Sequence, residues 1–504
     1  MLPNNVFREV NGTKTVLKQL QTLLHSPLDF RKMMKKFFAI TFFLIVLVAT
    51  GCSGTKKPVD SPNAGRTLAY EEGVPNFDME AIPTWREDSA GIDLYIGLPY
   101  RSLIFLRTDN TFHGKYEAVV RVLDDKGKAT IKEESFSDTI SITDYEKTQS
   151  IEAISLQKRF KVAPGTYIIE VSITDINSKK EALRRQRLTL NDLASGSISL
   201  SRILVEGRND ATGFRPIVAY HTGSDVDSLR AVVELYNADA APEVQAMMML
   251  RALPTDRNPA QPPYWFTPSL GSLSQQGVFY NRGDTLQVTR RIIRNVSPEA
   301  VIEFNLPKLK PGTYRINIAV TAPQKGNSTQ PTLLLKEQRD LSIKSPGFPR
   351  IETLQHMVEP LAYIAYKREM QEILKATSVE ELKTRFDAFW GEKMPSRQSG
   401  LNTIKEFYSR VEQANLYFST YKEGWKTDPG MVYIVMGAPQ SVDEQFDAEI
   451  WRYSYSNRDP LSTFVFQKVR PSEGDFINYI LIRNPYFEQE WLRQIERWRT
   501  GQVF

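Results

Sequence analysis

The sequence predicts a mainly β chain closed by an α+β region: two tandem β-sandwich (Ig-like) domains, then a C-terminal α+β domain that opens with a group of helices. Three observations predict it. Short alternating segments separated by Gly, Pro and Asp turns fill the chain from about Glu71 to Ser345, the pattern of sandwich strands. A turn feeding a long alternating strand occurs twice, as Pro164-Gly165-Thr166-Tyr167 and Pro311-Gly312-Thr313-Tyr314, which makes the middle of the chain a tandem pair. From Met357 the apolar period lengthens from two to that of a helix. The expected boundaries are 71–195 and 196–350 for the sandwiches and 351–504 for the α+β domain.

The N-terminal segment gives an address. Lys35-Lys36 precede the apolar run Phe37–Val48, then Ala49-Thr50-Gly51 and Cys52, the only cysteine of the chain. A basic start, a short apolar core and small residues are the secretory pattern, and the run is shorter than the ~20 residues a spanning helix needs. A lone cysteine behind small residues resembles the bacterial lipoprotein box, which implies acylation of Cys52. Residues 33–51 are thus expected to be the signal peptide and 52–70 a polar tether. Because Met33-Met34-Lys35-Lys36 has the form of a start, residues 1–32 are expected to be an upstream extension.

The charge belongs to the leader. Residues 1–51 carry seven basic and two acidic side chains, which accounts for the whole net charge of +5 and leaves a neutral body. A neutral body lacks the long-range positive field on which nucleic-acid binding rests. Arg184–Arg187 and Arg290–Arg294 lie in alternating sequence and are expected to be solvated strand faces.

In the first sandwich, Ile92–Gly97 and Tyr116–Val122 alternate, and Asp124-Asp125-Lys126-Gly127 has the composition of a hairpin turn. Leu229–Tyr236 echoes these strands in the second. At each Pro-Gly-Thr-Tyr turn the tyrosine is expected to pack inward with its hydroxyl on a backbone partner; a ligand loop is the alternative. Three helices follow. Tyr363, Tyr366, Met370, Ile373 and Leu374 form one stripe; Ser378-Val379-Glu380-Glu381 is a capping box opening a second; Ile404, Tyr408, Val411, Asn415 and Phe418 mark a third. Strands are expected at Met431–Met436, Glu449–Tyr455 and Thr463–Lys468. Asn484-Pro485 then starts a terminal helix that buries Trp491, Ile495 and Trp498.

Gly424-Trp425-Lys426-Thr427-Asp428, continued by Pro429–Met436 and Gly437-Ala438-Pro439, resembles the signature of the GWxTD-domain proteins, exported bacterial proteins that are often lipoproteins. Phe389-Trp390, Phe407-Tyr408, Ala414-Asn415 and Glu449–Tyr453 agree with it, as do the upstream strands Ile96–Tyr100 and Val233–Asn237. Gly391–Gly400 and Gln440 depart from the family pattern. The resemblance implies an exported address and this architecture; it carries no activity.

The residues themselves support a locked turn. Gly424 permits close approach, Trp425 is a large apolar anchor with one N–H to satisfy, and the oxygens of Thr427 and Asp428 accept nearby backbone N–H bonds. Gly437 and Pro439 end the following segment, and Trp451 sits on the next strand. A binding surface on this turn, or catalysis, stays open beside the structural role. The carboxylates Asp428, Asp443, Glu444, Asp447 and Glu449, with Trp425, Tyr433 and Trp451, could line a glycan cleft. His113, His221 and His356 are scattered, and no zinc, phosphate-loop or serine-elbow motif occurs; no metal or cofactor is expected. The leading expectation is a non-enzymatic, lipid-anchored envelope module that binds or scaffolds an envelope protein, placed at the outer membrane facing the periplasm. The alternative is a glycan-active enzyme or polysaccharide binder using Trp425, Asp428 and Glu449.

Overall fold

The computed structural model describes residues 66–67, 70, 73–86, 89–192, 198–208, 213–218, 221–222, 226–236, 243–266, 283–294, 299–322, 332–345, 347–445, 447–454, 462–469 and 477–503. The extension, the signal peptide, Cys52 and nearly all of the tether lie outside them. Gly65–Phe504 clusters as one compact unit.

The chain's first strand, β1 (Arg66–Thr67), joins the last sheet of the molecule. The first sandwich then sets β2 (Asp78–Arg86), β3 (Ser89–Pro99) and β7 (Ala153–Lys161) against β4 (Leu106–Thr108), β5 (Thr111–Leu123), β6 (Thr130–Ile142), β8 (Gly165–Asp175) and β9 (Glu181–Leu190). Alternation does the sorting. On β5, Tyr116, Ala118, Val120 and Val122 are buried, and they meet Ile92, Leu94 and Ile96 of β3 in one core. Gly127 takes the left-handed conformation at the β5–β6 hairpin, with φ +67°.

The second sandwich repeats the plan. One sheet holds β10 (Ser199–Leu200), β11 (Leu204–Arg208), β12 (Arg215–Pro216), β14 (Ser228–Tyr236) and β17 (Glu299–Leu306). The other holds β13 (His221–Thr222), β15 (Glu243–Leu253), β16 (Asp284–Arg294), β18 (Gly312–Thr321) and β19 (Leu333–Ile343). Both tyrosine corners close as the repeat predicts: the Tyr167 hydroxyl donates to Ala163 O at 2.8 Å and the Tyr314 hydroxyl to Lys310 O at 2.6 Å. A buried pair, Glu80 of β2 and Arg339 of β19, joins the sandwiches, and Arg339 also donates to Ile203 O and Ile217 O.

The third core is built mainly from the C-terminal region. Its helices are α1 (Leu354–Val358), α2 (Lys367–Leu374), α3 (Val379–Gly391), α4 (Arg397–Phe418), α5 (Asp428–Met436) and α6 (Glu488–Arg499). Its sheet runs β1, β20 (Ser441–Glu444), β21 (Ala448–Arg452), β22 (Thr463–Val469), β23 (Asn478–Leu481). The fold class is therefore mainly β with a C-terminal α+β region, as the alternation and the change of period predict. Ser378 caps α3 through Glu381 N, and Asn484 caps a single 3-10 turn at Pro485 that leads into α6.

Two elements differ from expectation. Met431–Met436 is helical, not a strand. Met431–Val435 is buried on every side, and a run of that kind has no period to read; the start signals settle it. Thr427 Oγ1 accepts from Gly430 N at 3.1 Å, and Pro429 stands in the first turn, where a missing N–H costs nothing. The stripe from Tyr363 to Leu374 is also broken. Glu359–Tyr363 is a 3-10 segment, and α2 begins only at Lys367. The Tyr363 hydroxyl is committed to Trp425 O, while Tyr366 and Leu374 are 52% and 57% exposed.

Candidate functional site

Gly424–Lys426 forms one 3-10 turn between α4 and α5. Its tightness explains the glycines. A Cβ on Gly424 would overlap the Ala414 carbonyl oxygen, and one on Gly430 would overlap the Gly424 carbonyl oxygen. The Thr427 hydroxyl donates to Gly424 O at 2.6 Å while capping α5. Trp425 is 3% exposed. Its Nε1 donates to Glu423 at 3.0 Å, its backbone N–H to Asn415 Oδ1 at 3.2 Å, and its carbonyl accepts from the Tyr363 hydroxyl at 2.7 Å. Lys426 Nζ lies 4.9 Å from the Trp425 ring centroid and pairs with Glu423 and Glu359. Gly437 ends α5 at φ +88°, a conformation open to glycine, and buried Pro439 turns the chain into β20.

Asp428 departs from its expected local role. Its carboxylate forms a two-point ion pair with buried Arg483, at 2.5 Å and 3.0 Å, and accepts from Leu481 N at 2.8 Å. Arg483 also donates to Gln261 O at 2.9 Å and Pro262 O at 3.2 Å, so the motif is stitched to a segment that follows β15. Sequence reasoning missed Arg483, because nothing local marks a guanidinium 55 residues downstream as the partner of a turn acid.

The other expected carboxylates separate. Asp443 pairs with Arg452 at 3.5 Å, Asp447 is exposed, and the Glu444 side chain lies outside the described residues. Glu449 is buried, and its Oε1 accepts from Trp451 Nε1 and from the Tyr70 hydroxyl, each at 2.6 Å. Burial, and then the Glu449 charge, hold the Tyr70 hydroxyl well above the ordinary phenol range. Tyr70 fits among Tyr417, Phe418, Tyr433 and Trp451, with centroids 4.9–6.2 Å away.

The proposed aromatic lining of a cleft is corrected as well. Trp425, Tyr433 and Trp451 are core residues, none more than 3% exposed. A cavity of about 890 Å³ does exist, walled by both sandwiches and the C-terminal region together. Thr427, Asp428 and Glu449 reach it, and its aromatic lining includes Tyr417, Tyr421 and Tyr479. No composition signal ties those three tyrosines to one another or to strands of the sandwiches. Among the described residues no cluster of His, Cys, Asp or Glu has the form of a metal site.

Residues 329–500 match the family model of the GWxTD domain. The C-terminal third of the chain is a GWxTD domain. The match starts ahead of the expected boundary at 351 and takes in β19, the strand that carries Arg339 and leads to Lys344, whose Nζ donates to Thr420 O at 2.7 Å. The GWxTD domain thus shares a strand with the second sandwich. No curated protein matches the sequence. Among solved structures the chain is similar to a red sea bream transglutaminase (7% identity, 54% of this chain, 31% of that chain, TM-score 0.17). It is also similar to an Escherichia coli alpha-2-macroglobulin activated by porcine elastase (11%, 53% and 24%, TM-score 0.14). A Salmonella alpha-2-macroglobulin mutant gives 12% identity, 56% and 16% coverage and a TM-score of 0.16. The chain spans less than a third of the length of each.

Proposed function

We propose that the protein is an exported, lipid-anchored cell-envelope protein that acts as a non-enzymatic binding or scaffolding module, attached through Cys52 and facing the periplasm from the outer membrane. The leader Lys35–Gly51 with its single following cysteine supports the address. The observation that carries the binding role is the cavity. It lies where the GWxTD domain meets both sandwiches, in the size range of about 300–1,000 Å³ and the inter-domain setting typical of ligand sites. Two of the acids around it are engaged: Asp428 by Arg483, and Glu449 Oε1 by Tyr70 and Trp451. A carboxylate held as one half of a buried ion pair is poorly placed to act as acid or nucleophile.

Two measurements test this reading. Cys52→Ser is expected to abolish incorporation of a labelled acyl chain, and persistence of the label would remove the anchor. Chemical crosslinking in intact envelopes, with the anchored wild-type chain as bait, is expected to capture a defined envelope component. Turnover of a glycan by the purified chain, lost in Glu449→Gln, would replace the binding reading with an enzymatic one.

A further inference from the structure

We propose that the cavity between the GWxTD domain and the two sandwiches is a binding site for a neutral oligosaccharide. This rests on the reading of the protein as a binding module and names its ligand class.

Charge gives the first argument. The described lining residues include five carboxylates and four basic side chains, and two of the bases are neutralised in place: Arg483 by Asp428, and Lys422 by Asp256 at 3.1 Å. A cavity so balanced offers little attraction to a polyanion and little to a polycation, because each bound charge would lose water without gaining a net partner. Its natural occupant is uncharged.

A polar group left over supplies the second argument. Glu449 accepts both of its bonds on Oε1, and Oε2 takes none among the described residues. Glu449 lines the cavity. A ligand that donates to this open carboxylate oxygen makes a charge-assisted hydrogen bond, the stronger kind. The leftover group is an acceptor, so the ligand brings hydrogen-bond donors.

The walls give the third. Seven described aromatic side chains line the space, Tyr417, Tyr421 and Tyr479 among them. A pyranose ring answers both demands at once, presenting a C–H face that packs on an aromatic ring and an edge of hydroxyl donors. A peptide offers one backbone donor per residue and lacks the repeated apolar face. The volume of about 890 Å³ admits more than a single sugar ring.

The test is calorimetric titration of the full mature chain with neutral trisaccharides of glucose, galactose, mannose and N-acetylglucosamine, beside a mixed-sequence tetrapeptide pool. At least one trisaccharide is expected to bind one-to-one at millimolar concentration or below. Ala153→Trp places a large ring in the cavity from an exposed position on β7, where folding tolerates it, and is expected to weaken binding by at least an order of magnitude. Glu449→Gln, which keeps the shape and removes one acceptor, is expected to weaken it less. Failure of all four trisaccharides, or binding unchanged in Ala153→Trp, overturns the assignment. Tetrapeptide binding that Ala153→Trp blocks, without sugar binding, overturns it in favour of a peptide site. If the sugars fail while the anchored chain still captures its envelope component, only the ligand class falls. If a sugar binds and is cleaved, the site stands and the non-enzymatic reading falls.

Discussion

The tyrosine corners of the sandwiches and the Gly424–Asp428 turn solve the same problem at different range. At each corner a hydroxyl closes on a carbonyl four residues upstream, Tyr167 on Ala163 and Tyr314 on Lys310. In the motif turn, Thr427 closes locally on Gly424 O, but Asp428 closes on Arg483, which in turn holds the carbonyls of Gln261 and Pro262. The corner finishes one strand; the motif turn fastens a whole domain to its neighbour. A residue that satisfies a local backbone group can be replaced at the cost of one bond. A residue that neutralises a buried charge from another part of the chain cannot, because its loss strands the partner.

Trp425→Ala should produce the largest effect. Truncating a large buried aromatic costs about 3–5 kcal/mol, a large share of the ~5–15 kcal/mol total stability of a domain. The backbone bonds around Trp425 would remain, so the loss measures the side chain's packing together with its Nε1 bond to Glu423 and its contact with Lys426. Calorimetric Tm of the full mature chain should fall well below that of wild type. A fall no greater than that of a tyrosine-corner variant would show that the motif turn is no more a keystone than the corners are.

Asp428→Ala sharpens the contrast next. As a simple turn or cap acid it would contribute about 0.5–2 kcal/mol. As the partner of buried Arg483 its removal should cost about 3–5 kcal/mol, most of it from the uncompensated guanidinium. The double variant Asp428→Ala with Arg483→Met should therefore recover part of the loss, measured by urea unfolding. Additive losses in the two single variants would mean that the pair is not coupled.

These variants also show what the sequence could and could not tell. Alternation, the repeated Pro-Gly-Thr-Tyr corner and the change of period at Met357 are local patterns, and the sandwiches, the capped helices and the tyrosine bonds follow from them. Met431–Met436 has no pattern because every side of it is buried, although Thr427 and Pro429 held the signal for its helix start. The site fared worse. Asp428 and Glu449 were visible as acids, but Arg483 meets Asp428, and Tyr421 and Asn478 share a cavity with both acids, only through the packing of three cores. The expected boundary at 351 left β19 wholly to the second sandwich, whereas the GWxTD match starts at 329 and takes that strand in.

Lys344, at the end of that strand, gives a prediction read per unit of pH. Its Nζ donates to Thr420 O in the seam between sandwich and GWxTD domain. Burial pushes its pKa down to about 7, against a smaller upward pull from Glu423. Between pH ~7 and the ~10.4 of an unfolded lysine, the unfolded chain holds a proton that the folded chain has released. Stability therefore rises with pH across that window, by at most ~1.4 kcal/mol per unit. It is fully gained above the unfolded value and absent below the folded one. The difference in urea midpoint between wild type and Lys344→Met, followed across the window, should carry this slope; a flat difference would mean that the amine stays charged in the seam.

The smallest effects belong to the corners themselves. Tyr167→Phe and Tyr314→Phe each delete one hydroxyl-to-carbonyl bond and leave the ring, so each should cost about 0.5–1.5 kcal/mol, read as a shift in urea midpoint at unchanged m. The two corners are not equal in surroundings. Tyr314 is buried, Tyr167 only partly so, and an acceptor stranded under more protein is harder to hydrate. Tyr314 also follows Thr313, whose hydroxyl donates to Tyr421 O at 3.0 Å across the seam to the GWxTD domain. Tyr314→Phe should therefore lie at the upper end of the range and Tyr167→Phe at the lower. If Tyr167→Phe instead matched Asp428→Ala, range of closure would not be what separates the two kinds of turn. If Tyr314→Phe alone did so, the second corner would have to be counted with the motif, as part of the seam rather than the finish of a strand.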